Sequence, residues 1–108
     1  MSQTNAIILT FREDKAQRFE KLFEAEILPM WQQFKAQGKF LAASLTPVEG
    51  GSEVKEGVRD YILHVEVPSM AQHEEFDSSP GFLDFLAKAK PMQPDDPKVW
   101  LGTTRFQV

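Results

Sequence analysis

The sequence has no cysteine, which excludes disulfide bridges, thiolate nucleophiles and cysteine-ligated metals. Histidine is scarce too: His64 and His73 are the two in the chain, and they form no H-x-x-x-H pair. His73 stands beside Glu74 and Glu75, but adjacent helical residues do not converge on one ion, so no metal site is expected. Basic residues are outnumbered, 12 Lys and Arg against 16 Asp and Glu, for a net charge of −4. Without a basic footprint, neither nucleic acid nor an anionic membrane is an expected partner. No apolar run approaches the about 20 residues of a membrane span, and MSQTNAIILTFRED lacks the charged start of a signal peptide. A cytoplasmic, soluble protein is the expectation. There is no G-x-G-x-x-G, P-loop or nucleophile elbow, so nucleotide and serine-hydrolase readings fall away and no cofactor is expected.

What the chain does have is material for a core. Of its 108 residues 42% are hydrophobic, with nine Phe and two Trp, enough for one domain over 1–108 with a single core. Its organising stretch is Arg59 to Ser69, RDYILHVEVPS. Alternation along a strand puts Tyr61, Leu63, Val65 and Val67 on one face and Asp60, Ile62, His64 and Glu66 on the other. The first face must sit on a core. The mixed face needs water, a ligand or another subunit, as on a sheet covered by helices on one side only.

In chain order, Asn5 to Arg12 reads as a strand with Ile7, Leu9 and Phe11 on one face and Ile8 and Thr10 on the other. Asp14 is placed to cap a helix carrying Phe19, Leu22, Phe23, Ile27, Met30, Trp31 and Phe34 at helical spacing, with Glu26 a polar intruder. Pro29 should kink or divide that helix, and Gly38 should end it. Lys39 to Pro47 reads as a second strand, with Leu41, Ala43 and Leu45 opposite Phe40, Ala42, Ser44 and Thr46. Glu49 to Gly57 reads as a long mobile hairpin loop. After the third strand, Ser69 and Gln72 form a capping box, and Ser79-Pro80 restarts the helix with Phe82, Phe85, Leu86 and Ala89 on one stripe. Pro91 to Pro97 is a loop. Lys98 to Val108 is the last strand, with Gly102 a bulge or a point of close approach.

The order β-α-β-β-α-β is the ferredoxin-like arrangement, an α+β fold. Right-handed crossovers place both helices on one face of a four-stranded antiparallel sheet. The other face would carry Ile8, Thr10, Ser44, Thr46, Ile62, His64, Trp100 and Phe106, too apolar to stay wet. A symmetric homodimer through this open face is therefore predicted.

With that layout the chain resembles the dimeric α+β barrel superfamily, in particular small antibiotic-biosynthesis-monooxygenase-type and stress-responsive domains. The likeness is concentrated in VEVPSMAQHEEFDSSPGFLDFL, Val65 to Leu86, where strand end, short helix, Ser-Pro break and Phe-bearing helix follow in the family's order. The resemblance implies a histidine on the short helix about four residues before the break. Phe76 occupies that position, and His73 lies one turn earlier. Haem-degrading members are similar to one another in a first-strand Asn, a third-strand Trp and the helix His. Here Asn5 matches, but Val65, Glu66 and Val67 stand where the Trp would fall.

His64, near Thr10, Ile62 and Trp100, is the leading candidate for a general base, since an imidazole titrates near neutrality. His73, among Gln72, Glu74 and Glu75, reads as a solvated helix face with a lesser claim to catalysis. Arg12 and Arg105 are candidate anchors for an anionic ligand, Trp31 and Tyr61 read as core, and the face of Trp100 depends on register. Two functions fit. One is a cofactor-independent, monooxygenase-like protein that binds or transforms a small aromatic or hydrophobic molecule between helices and sheet. The substrate would then itself form the carbanion that meets oxygen. The other is a non-catalytic dimeric domain whose open face serves assembly.

Overall fold

The computed structural model describes residues 2–108. Strand β1 (Gln3–Arg12) runs directly into helix α1 (Glu13–Glu26), followed by α2 (Leu28–Ala36), β2 (Ala42–Pro47), β3 (Val58–Val67), α3 (Met70–Asp77), α4 (Pro80–Ala89), a short 3₁₀ turn (Lys90–Met92) and β4 (Lys98–Thr103). The four strands form one antiparallel sheet in the order β2-β3-β1-β4, the ferredoxin-like topology. Register keeps like faces together: Ile7 lies opposite Leu63 and Leu9 opposite Tyr61, so the odd-numbered residues of both strands face the helices. A slip of one residue would send Phe11, Tyr61, Val65 and Val67, all buried, to the bare side.

Aromatic rings fill the layer between helices and sheet. Phe11 stacks on Phe19 with centroids 3.8 Å apart, Phe19 meets Tyr61 edge-on at 5.0 Å, and Phe34 meets Phe76 edge-on at 5.2 Å. The helix pair α1/α2 divides at Ile27, with Pro29 in the first turn of α2, where a missing N–H is harmless. Glu26, the polar intruder, is matched by Lys88 of α4 at 2.9 Å. Gly38 closes α2 at φ +73°, and Lys39 N–H donates to the Phe34 carbonyl at 2.9 Å. A left-handed residue is required there, and glycine adopts it without a Cβ penalty. Ser69 N–H donates to Gln72 Oε1 at 3.1 Å, the back half of the capping box, and Pro80 opens α4 behind Ser79. Tyr61 is fully buried and its hydroxyl donates to Glu20; burial, then that carboxylate, pushes the phenol far above its ordinary value.

Several local expectations need correction. Asp14 does not cap α1: the helix starts at Glu13, so Glu13 and Asp14 lie within its first turn, where carboxylates favour the positive end of the dipole. Strand β2 begins at Ala42, so alternation does not reach Phe40 and Leu41; Phe40 is buried and Leu41 is exposed. Gly102 forms neither a bulge nor a close approach, because it pairs in register with Thr4 and nothing lies within 4 Å of where a Cβ would stand. Strand β4 stops at Thr103, which leaves Phe106 off the sheet and 94% exposed. The end of the chain is instead tied to Glu66. Its carboxylate accepts from Thr104 Oγ1 (2.6 Å), Thr4 Oγ1 (3.0 Å), Ser2 Oγ (3.1 Å) and Gln107 Nε2 (2.5 Å). These donors, the Thr104 hydroxyl foremost, hold its carboxyl below the usual value. Among the described residues, no helix is long and apolar enough to cross a membrane.

Candidate functional site

Between the helices and the covered face of the sheet lies a cavity of about 230 Å³. Its walls come from every layer: Ile7 and Leu9 of β1, Leu63 and Val65 of β3, Phe19 and Phe23 of α1, Trp31 of α2, and Phe82, Phe85 and Ala89 of α4. The lining is apolar almost throughout because each strand offers its odd-numbered side chains and each helix its aromatic stripe. Leu86, Pro97 and Val99 line the cavity yet are exposed, which puts its mouth between α4 and β4. An apolar cavity of about 150 Å³ takes a benzene ring, so this one suits a small, one- or two-ring guest.

One end of the cavity is polar, where His73, Asp77 and Gln93 line it. His73 and Asp77 are one helical turn apart on α3, so their side chains stack on one face. His73 Nε2 lies 2.9 Å from Asp77 Oδ2, and its side chain is only 16% exposed. On the far side of the ring, Asn5 Nδ2 lies 3.1 Å from His73 Nδ1. Asn5 is fully buried on the covered face of β1, one pleat beyond Ile7. An ionised carboxylate only accepts, so the contact with Asp77 favours the tautomer with its proton on Nε2, in which Nδ1 accepts from the Asn5 amide. Burial raises the Asp77 carboxyl above its usual value, and the neighbouring His73 opposes that rise. Asn5 Oδ1 is buried with no hydrogen-bond partner among the described residues.

Apart from His73, the anticipated site residues fall elsewhere. Thr10, Ile62, His64 and Trp100 are all on the bare face, with the whole sheet between them and the cavity. His64 sits in a row Ser44–His64–Ala6–Trp100 across the four strands, so a strand separates it from the indole. Thr10, Ile62 and Trp100 do share a broader hollow of about 620 Å³, walled by the 50–56 loop and by Asp95 and Asp96, but His64 does not line it. Thr10 Oγ1 donates to Asp60 at 2.6 Å. Arg105 lies past β4, outside both hollows, and Arg12 donates to the Pro91 carbonyl at 2.8 Å. His73 is not a solvated residue: it faces the cavity, because α3 turns the flank of His73 and Asp77 toward the sheet while Glu75 pairs outward with Lys39. Trp31 is buried as a core residue, edge-on to Phe23 at 4.9 Å, and also lines the cavity. The Asn5–His73–Asp77 chain was not anticipated. Its traces are an asparagine in phase with Ile7, Leu9 and Phe11, and an i, i+4 His-Asp pair.

A four-stranded antiparallel sheet with helices packed on one face is the α+β, ferredoxin-like fold. No protein-family model matches the chain, and no curated protein is significantly similar to it in sequence. Solved structures share its fold over almost their whole length. A Caulobacter crescentus protein provisionally named an antibiotic biosynthesis monooxygenase aligns over 97% of this chain and 91% of its own, at 23% identity and a TM-score of 0.74. A mutant of SnoaB, a cofactor-independent oxygenase from Streptomyces nogalater, aligns over 99% and 96%, at 18% identity and a TM-score of 0.68. The hydroxynitrile lyase of Passiflora edulis also aligns over 99% and 96%, at 12% identity and a TM-score of 0.71. Similarity at this level is a similarity of fold, and these neighbours carry more than one chemistry.

Proposed function

We propose that the protein binds a small aromatic molecule in the cavity between helices and sheet and transforms it without a bound cofactor, with His73 as the base. The observation that carries this reading is an apolar cavity whose titratable lining groups, among the described residues, are a histidine and the aspartate paired with it. An imidazole held by a carboxylate keeps one tautomer and can take a proton from an acidic C–H or O–H of the guest. In an oxygenase reaction, the pair of electrons left on carbon would reduce dioxygen. The hydroperoxide then loses water, so that CH₂ and O₂ become C=O and H₂O. A base-assisted bond cleavage would use the same proton transfer and no oxygen. SnoaB, a cofactor-independent oxygenase in name, supports the first as the leading form.

The test is a thermal-shift screen of hydroxylated aromatics, aromatic acids, quinones, haem and flavin, followed by oxygen uptake on any hit. A guest at 100 times its dissociation constant should add about 2.7 kcal/mol of stability. His73→Ala should then lower turnover by about 10²–10⁴-fold. His64→Ala, altered on the opposite face, should leave it unchanged. The reverse pattern would move the chemistry to the bare face, and turnover without oxygen uptake would favour cleavage over oxygenation.

The exposed Ile62 (42%) and Trp100 (58%) favour a second element of this reading, a homodimer through the bare face. Trp100→Glu should then give a folded monomer in analytical ultracentrifugation. A wild-type protein that is already monomeric at micromolar concentration would remove both the dimer and the assembly-only alternative.

A further inference from the structure

Asn5 has a feature that the cavity reading leaves unused. Its amide donates to His73 Nδ1, and among the described residues its Oδ1 is buried without a partner. The side chain lies on the face of β1 that points to the helices, between Val65 of β3 and Leu101 of β4 in the pairing register. An amide can turn over about its last torsion, exchanging oxygen and nitrogen at almost no change in shape. Which way it faces is dictated by its partner. Neutral His73, with its proton held at Nε2 by Asp77, presents a lone pair at Nδ1 and calls for N–H. Protonated His73 presents N–H at Nδ1 and calls for the oxygen. The charged groups that line the cavity beside this ring are limited, among the described residues, to His73 itself and Asp77; β1, β3 and α4 contribute apolar side chains, and the Lys39–Glu75 pair is exposed on the outer side of α3.

We propose that Asn5 is a proton-coupled positioning residue whose amide turns over when His73, which lines the cavity, gains a proton, so that Nδ1 of the ring keeps a hydrogen-bond partner in both charge states. With His73 neutral, the Asn5 amide N–H donates to Nδ1. When His73 takes a proton at Nδ1, Oδ1 swings to accept the new Nδ1–H. The step moves one proton to the ring and no electrons. Taking up the guest as an anion from solution would draw one proton from water to the same nitrogen. The arrangement keeps Nδ1 occupied while the ring is neutral, and it explains why a buried acceptor is left without a partner.

This inference rests on the cavity as the working site, but its test needs no guest. Nitrogen-15 NMR of the ligand-free protein would follow the two ring nitrogens of His73 and the side-chain amide of Asn5 between about pH 5 and pH 9, the range in which histidine changes charge. The expected result is a neutral His73 with its proton on Nε2, and Asn5 amide resonances that move with the same midpoint as the ring. In His73→Gln the Asn5 resonances should lose that pH dependence. In Asp77→Asn they should still follow the ring, which separates the switch from titration of Asp77. An Asn5 amide that stays fixed while His73 titrates, or a neutral ring carrying its proton on Nδ1, would overturn the proposal. Either result is independent of the ligand screen, whose failure would count against the cavity function alone.

Discussion

Replacing His73 by phenylalanine is the most informative perturbation of stability, because it strips Asn5 of its one partner. Asn5 is fully buried and already carries one unpaired atom, so His73→Phe leaves the whole amide unsatisfied. An unsatisfied buried donor costs about 1–3 kcal/mol. Asp77, nearly half exposed, can recover water in place of the ring and adds little. A loss of about 2 kcal/mol should lower Tm by roughly 8–16 °C in a domain of this size. Asn5→Leu removes the orphaned oxygen but strands Nδ1, so its own effect is smaller. Joining the two changes replaces both partners by apolar groups of similar shape, which is often nearly neutral. The double variant should therefore be more stable than the sum of the singles by about 1–3 kcal/mol, read from urea unfolding midpoints at a common slope. Additivity within about 0.5 kcal/mol would refute the reasoning, since it would mean that the Asn5–His73 contact is not a coupled unit.

Other outcomes follow from the same structure. Phe19→Ala, which removes a fully buried ring stacked on Phe11 and edge-on to Tyr61, should cost about 3–5 kcal/mol in chemical denaturation, and a loss below about 2 would mean that the core collapses into the gap. The Glu66 carboxyl is held below its usual value, so its contribution is complete above the unfolded value near 4.5 and is lost as pH falls through the lower folded value. The stability gap between wild type and Glu66→Gln should accordingly shrink from about pH 6 toward pH 3, and a gap that widens on acidification would contradict the four-donor clamp. Gly38→Ala should destabilise by about 1 kcal/mol, as any side chain must at φ +73°. Gly102→Ala should change stability by no more than about 0.5 kcal/mol; a large loss there would reinstate the bulge.

Much of the fold could be read from local signals. The alternation of Tyr61, Leu63, Val65 and Val67 named the helix-facing side of β3 because side-chain direction alternates along a strand; Glu66 of the opposite side is buried as well, under its four donors. Pro29, Gly38, Ser69 with Gln72, and Pro80 marked helix breaks and ends because each acts through its own backbone chemistry. Boundaries without such a marker were read less well. Nothing local announces that β2 begins only at Ala42 or that β4 stops at Thr103, since those limits depend on where a neighbouring strand stops offering partners.

The site was legible only in part, and for a different reason. His64 drew attention because a histidine in mid-strand is conspicuous in one dimension, whereas His73 sat among charged neighbours on a short helix. Parity correctly placed His64 opposite the core face, yet parity cannot say that an apolar cavity opens on the covered side. For His73, sequence neighbours were a poor guide, because the direction a short helix turns is set by Phe76 packing against Phe34 and Phe82. The sequence by itself determined the element order, the inward face of each strand and the exclusion of thiol and nucleotide chemistry, because these depend on residue type and on period. Only the tertiary structure could bring Asn5, 68 residues before His73, within 3.1 Å of its ring. A hydrogen bond of that kind depends on how helix and sheet dock, and no local pattern records the docking.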